Sequence, residues 1–222
     1  MANNRLYEDD VLVIGLGRFG AEAALELHRL GHKVIAIEKD RALAESFSGR
    51  LTRIILADAS QPRAMETCNA SSFKLAVIGI GSSVEALVLT AANLVDAGIP
   101  SIWAMALSLE HARILERIGV HHVVQPEADS GRRVAHLVNG KLQDYIQFDD
   151  GYAIARMAPP RETIGFTLAQ SQIRSRYGVT VVGVKAPGED FTHAVPETKV
   201  TAQHTLIVSG PSELIDGLAG RP

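Results

Sequence analysis

The residues with the clearest chemical use are Gly15-Leu16-Gly17-Arg18-Phe19-Gly20. Three glycines at this spacing, between an apolar run and a helical stretch, suit a main chain that meets a pyrophosphate. Gly15 permits a tight turn, Gly17 leaves room for phosphate oxygens at the backbone, and Gly20 lets a helix pack close to a strand. A helix that starts there offers unpaired N–H groups to the phosphates. The plainer account, that these glycines only shape turns, is outweighed by their place directly after an expected strand. Arg18 sits inside the loop. Its guanidinium is placed to meet additional phosphate charge, on its own ligand or on one in a facing subunit. The competing account is a solvated surface arginine. Glu38 ends the second expected strand and can accept hydrogen bonds from both ribose hydroxyls; it would repel a 2′-phosphate, which disfavours NADP. Asp58 ends the third expected strand and can line the adenine or ribose pocket. Gly79-Ile80-Gly81 ends the fourth, where a bound nucleotide would cross the sheet.

No catalytic set accompanies this loop. Hydride transfer needs an acid or base opposite the cofactor. The eight histidines are scattered, and no His/Asp pairing or H-E-x-x-H spacing emerges. Cys68, the single cysteine, has no histidine partner in sequence and reads as a structural thiol. Only about 80 residues follow the loop-bearing region, little for a substrate domain. A ligand-binding regulatory protein is favoured over an enzyme. The alternative is an NAD-dependent oxidoreductase, and a second rival is an NAD-sensing transcription factor, which needs a basic winged helix that neither terminus supplies.

The elements that must position these residues follow a regular order. Short apolar runs, Val11–Ile14, Val34–Glu38, Ile54–Ala57, Leu75–Ile80, Ser101–Ala104 and His122–Val124, lack polar alternation. They read as parallel strands covered on both faces. Helical stretches Phe19–Leu30, Arg41–Ser48, Gln61–Cys68, Val84–Ala97 and Leu109–Ile118 lie between them. Asp40, Ser60 and Ser108 stand where N-caps belong, and Gly31, Gly98 and Gly119 just past helix ends. The alternation predicts an α/β, doubly wound parallel-sheet Rossmann domain. One more helix is expected over Ala128–Leu142. Beyond it the pattern changes to strands within Asp144–Met157 and over Val179–Lys185 and Thr205–Ser209, a helix over Thr167–Arg176, and turns at Asp149-Asp150-Gly151, Pro159-Pro160 and Pro187-Gly188. This is a small α+β domain. The expected division is 9–140 and 141–222.

Composition narrows the setting. At 46% hydrophobic the chain can bury a real core, which excludes a disordered protein. No apolar run approaches membrane-span length, and Met1–Asp10 is polar and acidic, so no secretory signal is expected. One cysteine excludes an internal disulfide, and a reducing cytoplasmic setting fits. A net charge of −3 argues against nonspecific nucleic-acid binding.

The run Val11–Gly20, with Glu38, Asp58-Ala59 and Gly79-Ile80-Gly81, resembles the RCK (KTN) domain that regulates potassium channels and transporters. The resemblance continues through Pro100–Ala104, His111, Leu115–Gly119 and Gln125-Pro126-Glu127, as in Ktr-type regulatory subunits. It then covers Ile164–Leu168, Ile173-Arg174, Tyr177–Val182 and Leu206–Gly210, similar to the RCK C-terminal domain. The resemblance implies dimers assembled into an octameric ring on the cytoplasmic side of an integral-membrane K⁺ channel or transporter subunit. It implies ATP, ADP or NAD(H) bound by Gly15, Gly17, Arg18, Phe19, Glu38, Lys39, Asp58, Ala59, Ile80 and Gly81, with Arg18 at the γ-phosphate. It implies a cation (Mg²⁺, Ca²⁺ or Na⁺) at Glu127, beside the phosphates; the competing account of Glu127 is an acid favoured by the N-terminal end of a helix. Some relatives bind cyclic di-AMP in the C-terminal domain. Ile173, Arg174, Tyr177–Val181 and Pro196 would line that site here, against the simpler account of a dimer core. Met105 departs from the pattern, which usually has a basic residue after the tryptophan strand. Gln203-His204 also departs, replacing a glycine–aspartate turn.

Overall fold

The computed structural model describes residues 10–148 and 150–220. The polar segment before Asp10, and Asp149 of the expected turn, lie outside the described residues. Contacts divide the chain into two compact units, one running to Glu127 and the other starting at Ala128.

The first unit alternates strand and helix. Its order is β1 (Asp10–Ile14), α1 (Arg18–Arg29), β2 (Lys33–Glu38), α2 (Arg41–Ser46), β3 (Arg53–Leu56), α3 (Pro62–Cys68), β4 (Leu75–Ile78), α4 (Val84–Asp96), β5 (Ser101–Met105), α5 (Leu109–Ile118) and β6 (His122–Val124). The six strands form one parallel sheet in the order β3-β2-β1-β4-β5-β6. The lack of polar alternation now has its cause. Leu12 and Ile14 of β1 pack with α3, α4 and α5 through Met65, Leu87, Leu94 and Leu115. Val11 and Val13 pack on the other face with Ala21 and Ala24 of α1 and with Phe47. Burial on both faces keeps the interior strand positions apolar, while polar residues such as Asp10, Lys33 and Arg53 stand at strand starts.

Between β1 and β4 the strand order reverses, which opens a crevice at the carboxyl ends of the strands. The register aligns those ends, with Ile14 opposite both Ile37 and Ile78. Hydrogen bonds extend the alignment by one residue. Gly15 N–H donates to Ile37 O at 2.8 Å, and Gly79 N–H to Ile14 O at 2.8 Å. Strand β4 therefore stops at Ile78 instead of Ile80, and Gly79 and Ile80 become part of the crevice wall.

Asp40 and Ser108 cap their helices as expected, accepting from Leu43 N–H and His111 N–H. Ser60 does not. Gln61 occupies the N-cap of α3, with Pro62 as the first helical residue. The helix expected over Ala128–Leu142 is α6 (Pro126–Leu137); it stops early because Gly140, at φ +71°, turns the chain into a strand.

The second unit is a five-stranded antiparallel sheet in the order β10-β9-β11-β8-β7. Its strands are β7 (Leu142–Gln147), β8 (Tyr152–Met157), β9 (Thr180–Lys185), β10 (Thr192–His193) and β11 (Thr205–Pro211). Leu142, Tyr145, Ala155, Val179, Leu206 and Val208 join Ile173 in its core. The single helix expected over Thr167–Arg176 is two, α7 (Leu168–Ser171) and α8 (Ile173–Tyr177), broken at Gln172 with φ +50°. Thr167 and Gln170 form a reciprocal capping box at its start. A last helix, α9 (Ser212–Ala219), buries Ile215 and Leu218 and was not expected. No helix of the described residues is long and apolar enough to cross a membrane.

Candidate functional site

The crevice is a cavity of about 550 Å³ within the first unit. Its wall brings together all eleven residues singled out above: Gly15, Gly17, Arg18, Phe19, Glu38, Lys39, Asp58, Ala59, Ile80, Gly81 and Glu127. That volume is in the range of cofactor-sized sites.

The glycine loop is built by backbone-to-backbone contact. Gly15 adopts φ +84°, a left-handed conformation that favours glycine. A Cβ on Gly20 would fall 1.9 Å from Gly15 O, and one on Gly79 would fall 2.7 Å from Gly20 Cα. These three positions interlock α1 with the ends of β1 and β4. Gly17 differs: a Cβ there would meet only Gly79 O, at 3.8 Å, an ordinary contact. The protein itself does not forbid a side chain at Gly17, so the open main chain faces the cavity. Gly17 is the N-cap of α1, with no side-chain cap and no acid in the first turn. The first N–H groups of that helix are left for an anion.

Glu38 does more than the sequence indicated. It is 7% exposed, and its carboxylate accepts from Leu16 N–H at 2.6 Å and from Asp40 N–H at 2.9 Å. One oxygen thus pins the glycine loop and the other the turn into α2. Each keeps a further lone pair for a hydroxyl, so the expected ribose contact stays compatible with this clamp.

Asp58 is exposed at the rim. Ser60 donates to its Oδ1 from both the hydroxyl, at 2.7 Å, and the backbone N–H, at 3.0 Å. Those bonds, the hydroxyl first, with the nearby Lys39 charge adding to them, hold the Asp58 carboxyl below its ordinary range against a smaller opposing cost of burial. A depressed carboxylate stabilises the fold above its unfolded pKa, about 3.9, and loses that contribution as pH falls through its folded value. Ser60→Ala is expected to raise the Asp58 pKa toward the ordinary value, read from the carboxyl carbon in an NMR titration. An unchanged midpoint would remove Ser60 as the cause.

Arg18, the first residue of α1, is exposed, and among the described residues it makes no ion pair. Glu127, second in α6, is also exposed. Among the described residues no three His, Cys, Asp or Glu side chains gather as metal ligands, so a cation at Glu127 would need further ligands from elsewhere. Lining residues that were not anticipated as a binding wall include Ser82, Ala86, Met105 and Leu107. Met105 ends β5 and Leu107 lies two residues beyond it, at the same carboxyl edge as the rest, and the Met105 Cε lies 2.9 Å from where a Gly81 Cβ would sit.

Neither histidine nor cysteine is among the lining residues. Cys68 is buried, its thiol donates to Met65 O, and burial pushes its pKa up.

In the second unit a separate cavity of about 730 Å³ brings together Ile173, Arg174, Thr180, Val181 and Pro196. Tyr177 is not on its wall; its hydroxyl hydrogen-bonds Glu162 instead.

Residues 11–126 match the family described as the TrkA-N domain. The chain is similar to the Ktr system potassium uptake protein A of Bacillus subtilis (strain 168), 29% identical over 207 residues that cover 93% of each chain. Its fold is similar to the crystal structure of the GsuK RCK domain, with TM-score 0.66 and 16% identity over 98% of this chain and 49% of that one. It is also similar to the GsuK channel bound to NAD, with TM-score 0.65 and 16% identity over 98% and 40%. This chain thus spans half or less of those solved chains, and at such identity the likeness is one of fold.

Proposed function

Because the chain belongs to the TrkA-N domain family, we propose that it is a cytosolic regulatory subunit of a potassium uptake system. It binds ATP, ADP or NAD(H) in the cavity of its first unit and controls K⁺ flux by changing the shape of an oligomeric ring. One observation carries this reading: an anion-accepting helix start, an interlocked glycine loop and the carboxylates of Glu38 and Asp58 surround one cofactor-sized space. The potassium-uptake name of the similar Bacillus protein and the NAD of the similar channel support it.

The work is thermodynamic coupling. A ligand shifts a ring only by binding one shape better than another. A tenfold preference is worth about 1.4 kcal/mol per site, and equivalent sites add. Gly15 and Gly17 would carry the phosphates on their main chain, Glu38 and Asp58 the ribose, and Phe19, Ala59 and Ile80 the apolar surfaces. Arg18 would meet the terminal phosphate. Lys39 and Gly81 complete the wall. A cation (Mg²⁺, Ca²⁺ or Na⁺) would use the Glu127 carboxylate, with phosphate oxygens and water contributing to its shell. The subunits would form dimers and an octameric ring against an integral-membrane K⁺ channel or transporter subunit, on its cytoplasmic face. In the second unit, Arg174 with Ile173, Val181 and Pro196 is a charged and apolar wall suited to cyclic di-AMP.

Calorimetry with ATP, ADP and NADH tests the reading. Saturable binding of at least one is expected, with no loss of NADH absorbance on adding a panel of ketones. Heats of dilution alone for all three would overturn it, and NADH turnover would favour the oxidoreductase.

A further inference from the structure

We infer that Asn93 is a positioning residue for the nucleotide cavity, tying the Asp58–Ala59 rim to helix α4. This rests on the proposed nucleotide binding. The Asn93 side-chain amide donates to Ala59 O and to Ser60 O, both at 3.0 Å, across more than thirty residues of sequence. Two carbonyl partners require the NH₂ group to face them, which uses both of its hydrogens. The segment it holds lies between β3 and α3. That segment is also held by Ala57 N–H on Glu38 O at 3.1 Å and by local bonds, from Gln61 N–H to Asp58 O at 3.0 Å and from Ser60 to Asp58 Oδ1.

The consequence reaches the cavity in two steps. Asn93 fixes the carbonyls of Ala59 and Ser60, and with them the peptide planes on either side of Ser60. Ser60 then presents its hydroxyl and N–H to Asp58 Oδ1. Asp58 and Ala59 both line the cavity, and Ala59 is 5% exposed, so its carbonyl has little recourse to water once the amide is gone. Helix α4 also lines the cavity at Ala86 and presents Val84 and Leu89 to solvent. Asn93 thereby makes the position of α4 and the shape of the ribose and adenine edge parts of one arrangement. Its role is at the nucleoside end of the ligand, away from the phosphates at Gly17.

The test uses the full chain with Asn93→Ala and Asn93→Asp. Two readouts are taken: affinity for AMP, ADP and ATP by calorimetry, and hydrogen exchange of the Ser60 amide without ligand. Both variants are expected to lose about tenfold in affinity for all three nucleotides, leaving the ATP/ADP ratio unchanged. Ser60 exchange is expected to quicken by about tenfold or more. Wild-type affinities and wild-type Ser60 exchange would overturn the inference, as would a lowered melting temperature with affinities intact. If the unaltered chain binds none of the nucleotides, the proposed function falls and this role falls with it. Fast Ser60 exchange in the variants would then still show that Asn93 holds the loop, so the two failures are separable.

Discussion

Gly20→Ala is expected to lower the thermal midpoint of the protein by roughly 6–12 °C, the largest drop expected of any glycine-to-alanine substitution here, because no other added Cβ falls so close to a neighbouring atom. The added Cβ would lie 1.9 Å from Gly15 O, a backbone atom with no rotamer to escape into. Relief requires α1 to move off the ends of β1 and β4, breaking the contact between Gly20 and Gly79. Overpacking of this kind costs about 3 kcal/mol, and each 1 kcal/mol shifts the midpoint of a 222-residue chain by roughly 2–4 °C. Gly17→Ala is the matching control. Gly17 has φ −61°, which alanine adopts freely, and its new Cβ would make only a 3.8 Å contact. That variant is expected to keep its midpoint and to lose nucleotide affinity, because the methyl would enter the space proposed for the phosphates. Calorimetric melting and binding on the two proteins check both halves. Equal stability in Gly20→Ala and wild type would contradict the packing account, and unaltered binding by Gly17→Ala would contradict the phosphate account.

Arg18→Ala is expected to cut the preference for ATP over ADP by about tenfold while leaving AMP affinity within about twofold. Arg18 begins α1 and is solvent-exposed, with no carboxylate partner among the described residues. Under the proposed function its counter-charge would be a terminal phosphate, in its own cavity or in that of a facing subunit. An exposed pair is screened, so the effect shrinks as salt is raised from low to physiological ionic strength. Competition binding at two salt concentrations reads it. An ATP/ADP ratio unchanged by the substitution would return Arg18 to the status of a solvated surface charge.

The loop-bearing half of the chain was legible because its signals are local. Gly15, Gly17 and Gly20 lie within six residues, and strands buried on both faces advertise themselves as unbroken apolar runs. The candidate residues also line one cavity, since each sits near the carboxyl end of a strand or at the start of a helix, and the parallel sheet collects those positions at one edge. What was not legible depends on tertiary contact. Nothing in the sequence says that Glu38 will reach back 22 residues to hold Leu16 N–H. Ser60 read as an N-cap because its type suits one, yet Asp58 two residues earlier captured its hydroxyl and Pro62 began the helix. In the second unit Gln172 carries no mark of a left-handed conformation, so the split between α7 and α8 was invisible. Helix α9 does show apolar residues at Leu214, Ile215 and Leu218, but eight residues after a strand are too few for periodicity to stand out.

Small-angle scattering of the purified chain, recorded with saturating ATP and then with ADP, tests the central claim most directly, with the nucleotide recovered afterwards and identified by chromatography. The account predicts an oligomer whose scattering curve differs between the two ligands, and nucleotides returned intact. A monomer with superimposable curves, or ATP consumed while the curves stay the same, would contradict it.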